Sequence, residues 1–237
     1  MVDSNPGSRR GSFQGLILSE KESTLSDVMA RPKTNNSTAD RIRRRVEKAP
    51  PDSVVHAGQF LARDSRTAVD KALSRLVAAG GLRRLARGLY YQPRKHPVLG
   101  EILPPVDAVA RALAGRDHVR LQAFGGHAAN LLRLSEQVPA RVVYLTDGKP
   151  RTVRYGNQVI QLRRAAPRMM AASGRTTGLV IAGLRYVGAA NVTLARVAHL
   201  RQLLSPKDRR QLMKDILLAP AWMHTHFRAI AQKDTTL

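Results

Sequence analysis

The chain has 237 residues, 43% of them hydrophobic, enough for one large or two small domains with buried cores, and wholesale disorder is excluded. Cysteine is absent, which excludes a disulfide scaffold, a thiolate zinc site and a cysteine nucleophile, and no apolar run approaches the roughly 18 residues of a membrane span. Forty Lys and Arg against 17 Asp and Glu give a net charge of +23, whose self-repulsion a polyanionic partner would offset: DNA, RNA, an anionic membrane surface or an acidic protein.

The excess charge is unevenly placed. Residues 1–40 are neutral, 41–91 carry +8, 92–148 carry +2 and 149–237 carry +13, with no glutamate after Glu136. Arginine-rich codon usage would decorate any solvated surface in this way, so charge alone does not select a partner. The opening stretch MVDSNPGSRRGSFQG is too polar for a secretory signal, so a cytoplasmic, nucleoid-associated protein without a membrane partner is expected. Residues 1–37, rich in Ser, Asn, Gly and Pro, read as a disordered tail, within which Met29 is an alternative translation start.

Regular structure is expected from Thr38, a candidate N-cap for a helix over Ala39–Lys48 that buries Ile42 and Val46 at i, i+4 spacing among Arg41, Arg43, Arg44 and Arg45. Pro50-Pro51 ends it. An apolar pair, Val54-Val55, leads into a brief helix through Phe60. Ser65 then caps a longer helix that runs to Gly80-Gly81, with Val69, Ala72, Leu73, Leu76 and Val77 on its inner side. Two strands, Leu82–Leu85 and Leu89–Gln92, follow across Ala86-Arg87-Gly88, where glycine supplies the φ freedom of a tight hairpin.

Helix, short helix, turn, longer helix and basic hairpin is the element order of a winged helix-turn-helix, expected over residues 38–93. Such a module presents the N-terminal half of its third helix to the major groove and its wing to a phosphate backbone or the minor groove. The candidate DNA contacts are Ser65, Arg66, Thr67, Lys71, Ser74 and Arg75 on the helix, with Arg83, Arg84, Arg87 and Tyr90 in the wing. The wing arginines are phosphate contacts first and sequence readers second. Of Tyr90 and Tyr91, one is expected to pack on the third helix and the other to touch a sugar or phosphate. Asp70 would accept from a cytosine amino group or orient a neighbouring arginine. Winged helices also serve as protein-interaction modules, but here the +8 charge coincides with the module.

A linker is expected over Arg94–Pro105, then an α+β unit (101–170) and a helical part (176–232), together a C-terminal domain over 94–237. A helix over Asp107–Ala114, a strand over Val119–Phe124, a helix opened by Gly125-Gly126, a strand over Arg141–Thr146 and a hairpin of Arg151–Tyr155 with Gln158–Leu162 make up the α+β unit. The helical part begins with Leu179, Val180, Leu184 and Val187. Thr193 caps a helix with Leu194, Val197, Leu200, Leu203 and Leu204 inward. Ser205-Pro206 starts another with Leu212, Met213, Ile216 and Leu217, and Pro220 opens the last, through Trp222, Met223 and Ile230. The fold class is therefore α+β.

No catalytic or cofactor site is expected. Glu101, Asp107, Asp117, Glu136 and Asp147 are scattered, with no Asp-x-Asp pair for magnesium and no phosphate-binding loop, Gly125-Gly126-His127 being too short. His224-x-His226 has no neighbouring carboxylate or cysteine to complete a metal set, and His127 meets Ser135 only by assumption.

The stretches ALSRLVAAGGLRRLARGLYYQP (72–93), FGGHAANLLRLSEQVPARVVYLTDG (124–148) and LLSPKDRRQLMKDILLAPAWMH (203–224) resemble the AbiEi-type antitoxin family of type IV toxin–antitoxin systems, over about Ala39 to Ile230. The resemblance implies a winged helix that represses its own promoter, double-stranded DNA being the partner. It also implies a C-terminal part that counters a nucleotidyltransferase-like toxin without a stable complex. The long tail and the arginine load of the C-terminal part depart from the family, and the latter leaves open an RNA contact there. The alternatives are a winged-helix regulator of other genes with a ligand-sensing or oligomerising C-terminal domain, and an RNA-binding accessory protein.

Overall fold

The computed structural model describes residues 37–232 apart from 99, 138 and 140, so the readings of the tail and of Met29 concern residues outside those described. Helix α1 (Thr38–Glu47) buries Ile42 and Val46, as their spacing predicts. Strand β1 (Val54–His56) leads through a 3-10 turn, Ala57–Phe60, to α2 (Arg66–Ala78). Ser65 caps α2, its hydroxyl accepting from the Ala68 N–H at 3.3 Å, and Val69, Ala72, Leu73 and Leu76 form its buried side. The helix stops where Gly80 turns to φ 74°, and the Leu82 N–H reaches back to the Leu76 carbonyl.

Strands β2 (Arg83–Ala86) and β3 (Leu89–Tyr91) complete a three-stranded antiparallel sheet in the order β1-β3-β2. Val55 and Arg84 both pair with Tyr90, while Val54 and Arg83 pair with Tyr91. Directly paired residues share a face, so the two sets point opposite ways. Val55 and Tyr90 pack with Ile42, Val69, Leu73 and Leu76 of α1 and α2. Val54 and Leu89 instead join Val109, Leu113, Tyr144, Ile160 and Leu162 in a second core. The small sheet is thus covered on both faces, and the described chain from Thr38 onward forms one compact unit.

The expected linker after Pro93 is partly an antiparallel ribbon, β4 (Arg94–His96) with β5 (Gly100–Ile102). All six residues are exposed, so no alternation of burial marks these strands in the sequence. Helix α3 (Val106–Asp117) follows and ends at His118, in the left-handed conformation. Then come β6 (Leu121–Phe124), α4 (Gly126–Leu131), β7 (Arg141–Thr146), β8 (Arg151–Tyr155) and β9 (Gln158–Arg164). These four strands form a sheet in the order β6-β7-β9-β8, with β7 and β9 parallel and the other pairs antiparallel.

A short helix not anticipated from the sequence, α5 (Pro167–Met170), precedes α6 (Thr176–Val187), α7 (Leu194–Leu203), α8 (Pro206–Lys214) and α9 (His224–Ala231). Their shared core holds Leu132, Leu184, Leu200, Leu212, Met223, Phe227 and Ile230. Two expectations need correction. Leu194 and Leu203 are 88% and 38% exposed rather than inward, because only Val197, Leu200 and Leu204 of that stripe meet the neighbouring helices. Helix α8 also stops before Leu217, which is 85% exposed. Asp215 ends it by turning inward to accept from Thr177 Oγ1 and Gln211 Nε2, both at 2.9 Å, and to pair with Arg175. The described protein is therefore α+β, built on small sheets, and among the described residues no helix is long and apolar enough to cross a membrane.

Candidate nucleic-acid interface

The outward side of α2 is polar because its inward side supplies the core. Thr67, Lys71 and Ser74 recur at i, i+4 and i+7, with Arg75 beside them, opposite Val69, Leu73 and Leu76, and all four are exposed. Arg66 stands at the first turn, where its Nε donates to Asp70 Oδ2 at 2.8 Å across one helical turn. Asp70 therefore orients an arginine. Ser65 is exposed but committed to capping, and its hydroxyl lies 3.2 Å from that of Thr67.

The hairpin divides its arginines. Arg84 falls on the sheet face turned toward α1 and α2, and Arg87 is exposed at the tip, where Gly88 has φ 71°. Arg83 falls on the opposite face, 3.6 Å from Glu101 Oε2, so it is not gathered with the α2 residues. Tyr90 is half-buried against the α1–α2 core. Tyr91 is buried and donates to Glu101 Oε1 at 2.5 Å; burial first, then that carboxylate, pushes its phenol up to about 12. The fold therefore brings Arg66, Thr67, Lys71, Ser74 and Arg75 onto one helix and leaves Arg84 and Arg87 on the adjoining hairpin.

Sequence reading missed how this surface is held. Thr38 Oγ1 donates to Asp64 Oδ1 at 2.8 Å, and Arg41 pairs with the same carboxylate, which ties α1 to the turn before α2. The Thr38 hydrogen bond and then that of Arg41 hold Asp64 below the usual carboxylate range. At the hairpin tip, the Arg116 guanidinium of α3 donates to the Arg87 carbonyl and is paired at 2.9 Å with Asp117, which also pairs with Arg151 of β8. Apart from the adjacent pair Arg116–Asp117, these contacts join residues 23 to 34 positions apart, where no spacing rule finds them.

Inside the second core, Tyr144 Oη donates to Asp107 Oδ1 at 2.5 Å, and His127 Nε2 lies 3.2 Å from that oxygen and 3.1 Å from the phenol. Burial would raise Asp107, but the His127 and Tyr144 hydrogen bonds outweigh it and hold the carboxyl below its ordinary value. The trio clamps α3 and α4 to β7. Ser135 is not its partner: its hydroxyl accepts from the Gln137 N–H at 3.2 Å. His224 Nε2 donates to the Ala219 carbonyl at 3.1 Å, and His226 stands edge-on to Trp222. Among the described residues, no three His, Cys, Asp or Glu side chains are grouped to hold a metal.

These features define an α+β protein that displays a basic helix and hairpin over a sheet buried on both faces. Residues 41–212 match a family of unknown function, DUF6088, and the chain belongs to that family. No curated protein and no solved structure matches it.

Proposed function

We propose that residues 38–93 act as a winged helix-turn-helix DNA-binding domain, α2 being the recognition helix and the β2–β3 hairpin the wing. The protein is then a transcriptional autorepressor bound to its own promoter. Through the resemblance of its central and C-terminal stretches, it is the antitoxin of a type IV system that counters a nucleotidyltransferase-like toxin. One observation carries the DNA-binding reading: Lys71, Arg75, Arg84 and Arg87 are exposed without a carboxylate partner among the described residues, while the acid on α2, Asp70, is engaged with Arg66. Free cations beside a polar helix face neutralise phosphates and release counterions. An arginine aimed by an aspartate suits the two acceptors of a guanine edge.

The test is a mobility-shift titration of the full chain against the duplex upstream of its own gene, at two salt concentrations, with a scrambled competitor. Preference for the native duplex supports the reading. Equal affinity for both duplexes in dilute buffer overturns it. Growth of cells co-expressing the chain with an adjacent toxin-like reading frame tests the antitoxin role separately.

A further inference from the structure

A second basic surface lies on the four-stranded sheet. The ladder register sets Arg154, Val159 and Arg141 side by side across β8, β9 and β7. Thr152, Gln161 and Val143 form the next row, and Arg163 stands beside Leu145 in the row after that. These positions alternate with Tyr144, Ile160 and Leu162, which are buried on the other side, so they make up the outer face. Arg141, Thr152, Arg154 and Arg163 are exposed. None of the four strands contains an acidic residue, and among the described residues no carboxylate pairs with these three arginines; Arg163 reaches only Gln161 Oε1, at 3.0 Å.

The same face continues into a cavity of about 340 Å³ where α5 and α6 close over β6. Phe124 and Leu145 floor it, Met169 and Ile181 wall it, and Arg168 and Arg185 stand exposed at its rim, again without a carboxylate partner among the described residues.

We propose that this face binds single-stranded RNA, with phosphates over Arg141, Arg154 and Arg163 and one unstacked base in the cavity between Arg168 and Arg185. Neighbouring strands are about 4.8 Å apart and alternate residues about 6.8 Å apart, so the arginines form a flat array over which a flexible strand can lie. A duplex keeps its bases stacked and has none to offer an apolar cavity, whereas a single strand does, and guanidinium planes stack on bases. Thr152 and Gln161 sit between the arginine rows, where their hydroxyl and amide groups would meet ribose 2′-hydroxyls, which selects RNA over DNA. An acidic peptide would use the arginines but leave the cavity without a flat occupant.

The test uses the full chain and a fluorescein-labelled 12-nucleotide RNA of mixed sequence, the DNA strand of the same sequence, and a duplex. The triple variant Arg141→Ala, Arg154→Ala, Arg163→Ala is compared with Lys207→Ala, Lys214→Ala, Arg210→Ala, which removes equal charge from α8. The face variant is expected to lose tenfold or more in RNA affinity and about 2 units of salt slope, near 0.7 per phosphate, with duplex binding unchanged. The α8 variant is expected to lose less than threefold. Equal losses in the two variants overturn the proposal, as does tighter binding of the DNA strand than of RNA, or displacement of RNA by polyglutamate as readily as by unlabelled RNA. If the triple variant melts at a lower temperature than the parent, Arg154→Ala at the sheet edge carries the test alone, with an expected slope change of about 0.7.

Discussion

Removing Arg75, Arg84 and Arg87 together isolates the phosphate contacts of the proposed DNA surface. Each side chain is exposed and lacks a carboxylate partner among the described residues, so each should neutralise one phosphate on the duplex. One phosphate contact contributes about 0.9 to the slope of log affinity against log salt on B-form DNA. The triple alanine variant should therefore lose about 2.7 units of slope, and between 50 and 200 mM salt its affinity should fall about 40-fold less than that of the parent. Arg83→Ala is the internal control: Arg83 lies on the opposite sheet face and already faces Glu101 at 3.6 Å, so its slope change should be well below one unit. Fluorescence anisotropy with the native upstream duplex and a scrambled duplex, over a salt series, measures both. A triple variant with the parental slope would refute the placement of these arginines on the backbone, and an equal change for Arg83→Ala would refute the division of the hairpin into two faces.

Arg66→Ala should cost about 1–3 kcal/mol of discrimination between native and scrambled duplex, with Asp70→Ala weakening discrimination less because it only frees the guanidinium; equal loss on both duplexes would show that Arg66 reads no base. Leu73→Ala, at a fully buried position on the inner side of α2, should destabilise by about 2–5 kcal/mol in urea unfolding, and a loss below 1 kcal/mol would mean that the α1–α2 core is not packed as described. Tyr144→Phe should cost about 1–3 kcal/mol, since Asp107 and His127 lose the phenol that binds both, and a neutral result would show the trio contributes nothing to holding α3. Burial first, then the charges of Arg116 and His118, hold His56 below the usual imidazole value of 6.5, so the unfolded chain takes up that proton more readily than the folded one. Stability should therefore be full above about pH 6.5, fall as pH drops below it, and level off once the folded His56 also titrates. Denaturation of His56→Phe between pH 8 and 5 checks this, and a profile parallel to that of the parent would assign the loss elsewhere.

Much of the local structure was legible because it is governed by neighbours in the chain. Ser65, Thr193 and Ser205 each cap the helix expected after them, and β7 occupies the predicted residues. Capping and hairpin signals act over two to four residues, and the apolar period of a helix needs only its own turns. The ribbon β4–β5 and the early end of α8 escaped the same reading: the first buries no side chain, and the second depends on Thr177 and Arg175, some forty positions earlier.

The chain by itself determined the +23 charge, the element order from Thr38 to Ile230 apart from β4, β5 and α5, and the candidate residues on α2 and the hairpin. Tertiary structure alone decided which of those cations stand free. A salt bridge forms wherever folding brings a carboxylate within about 4 Å, so Arg83 meets Glu101 and Arg41 meets Asp64, while Arg75, Arg84 and Arg87 meet no acid among the described residues. It also decided that arginines far apart in sequence share the outer face of one sheet, because strand register, unlike helical period, is set by partners distant along the chain.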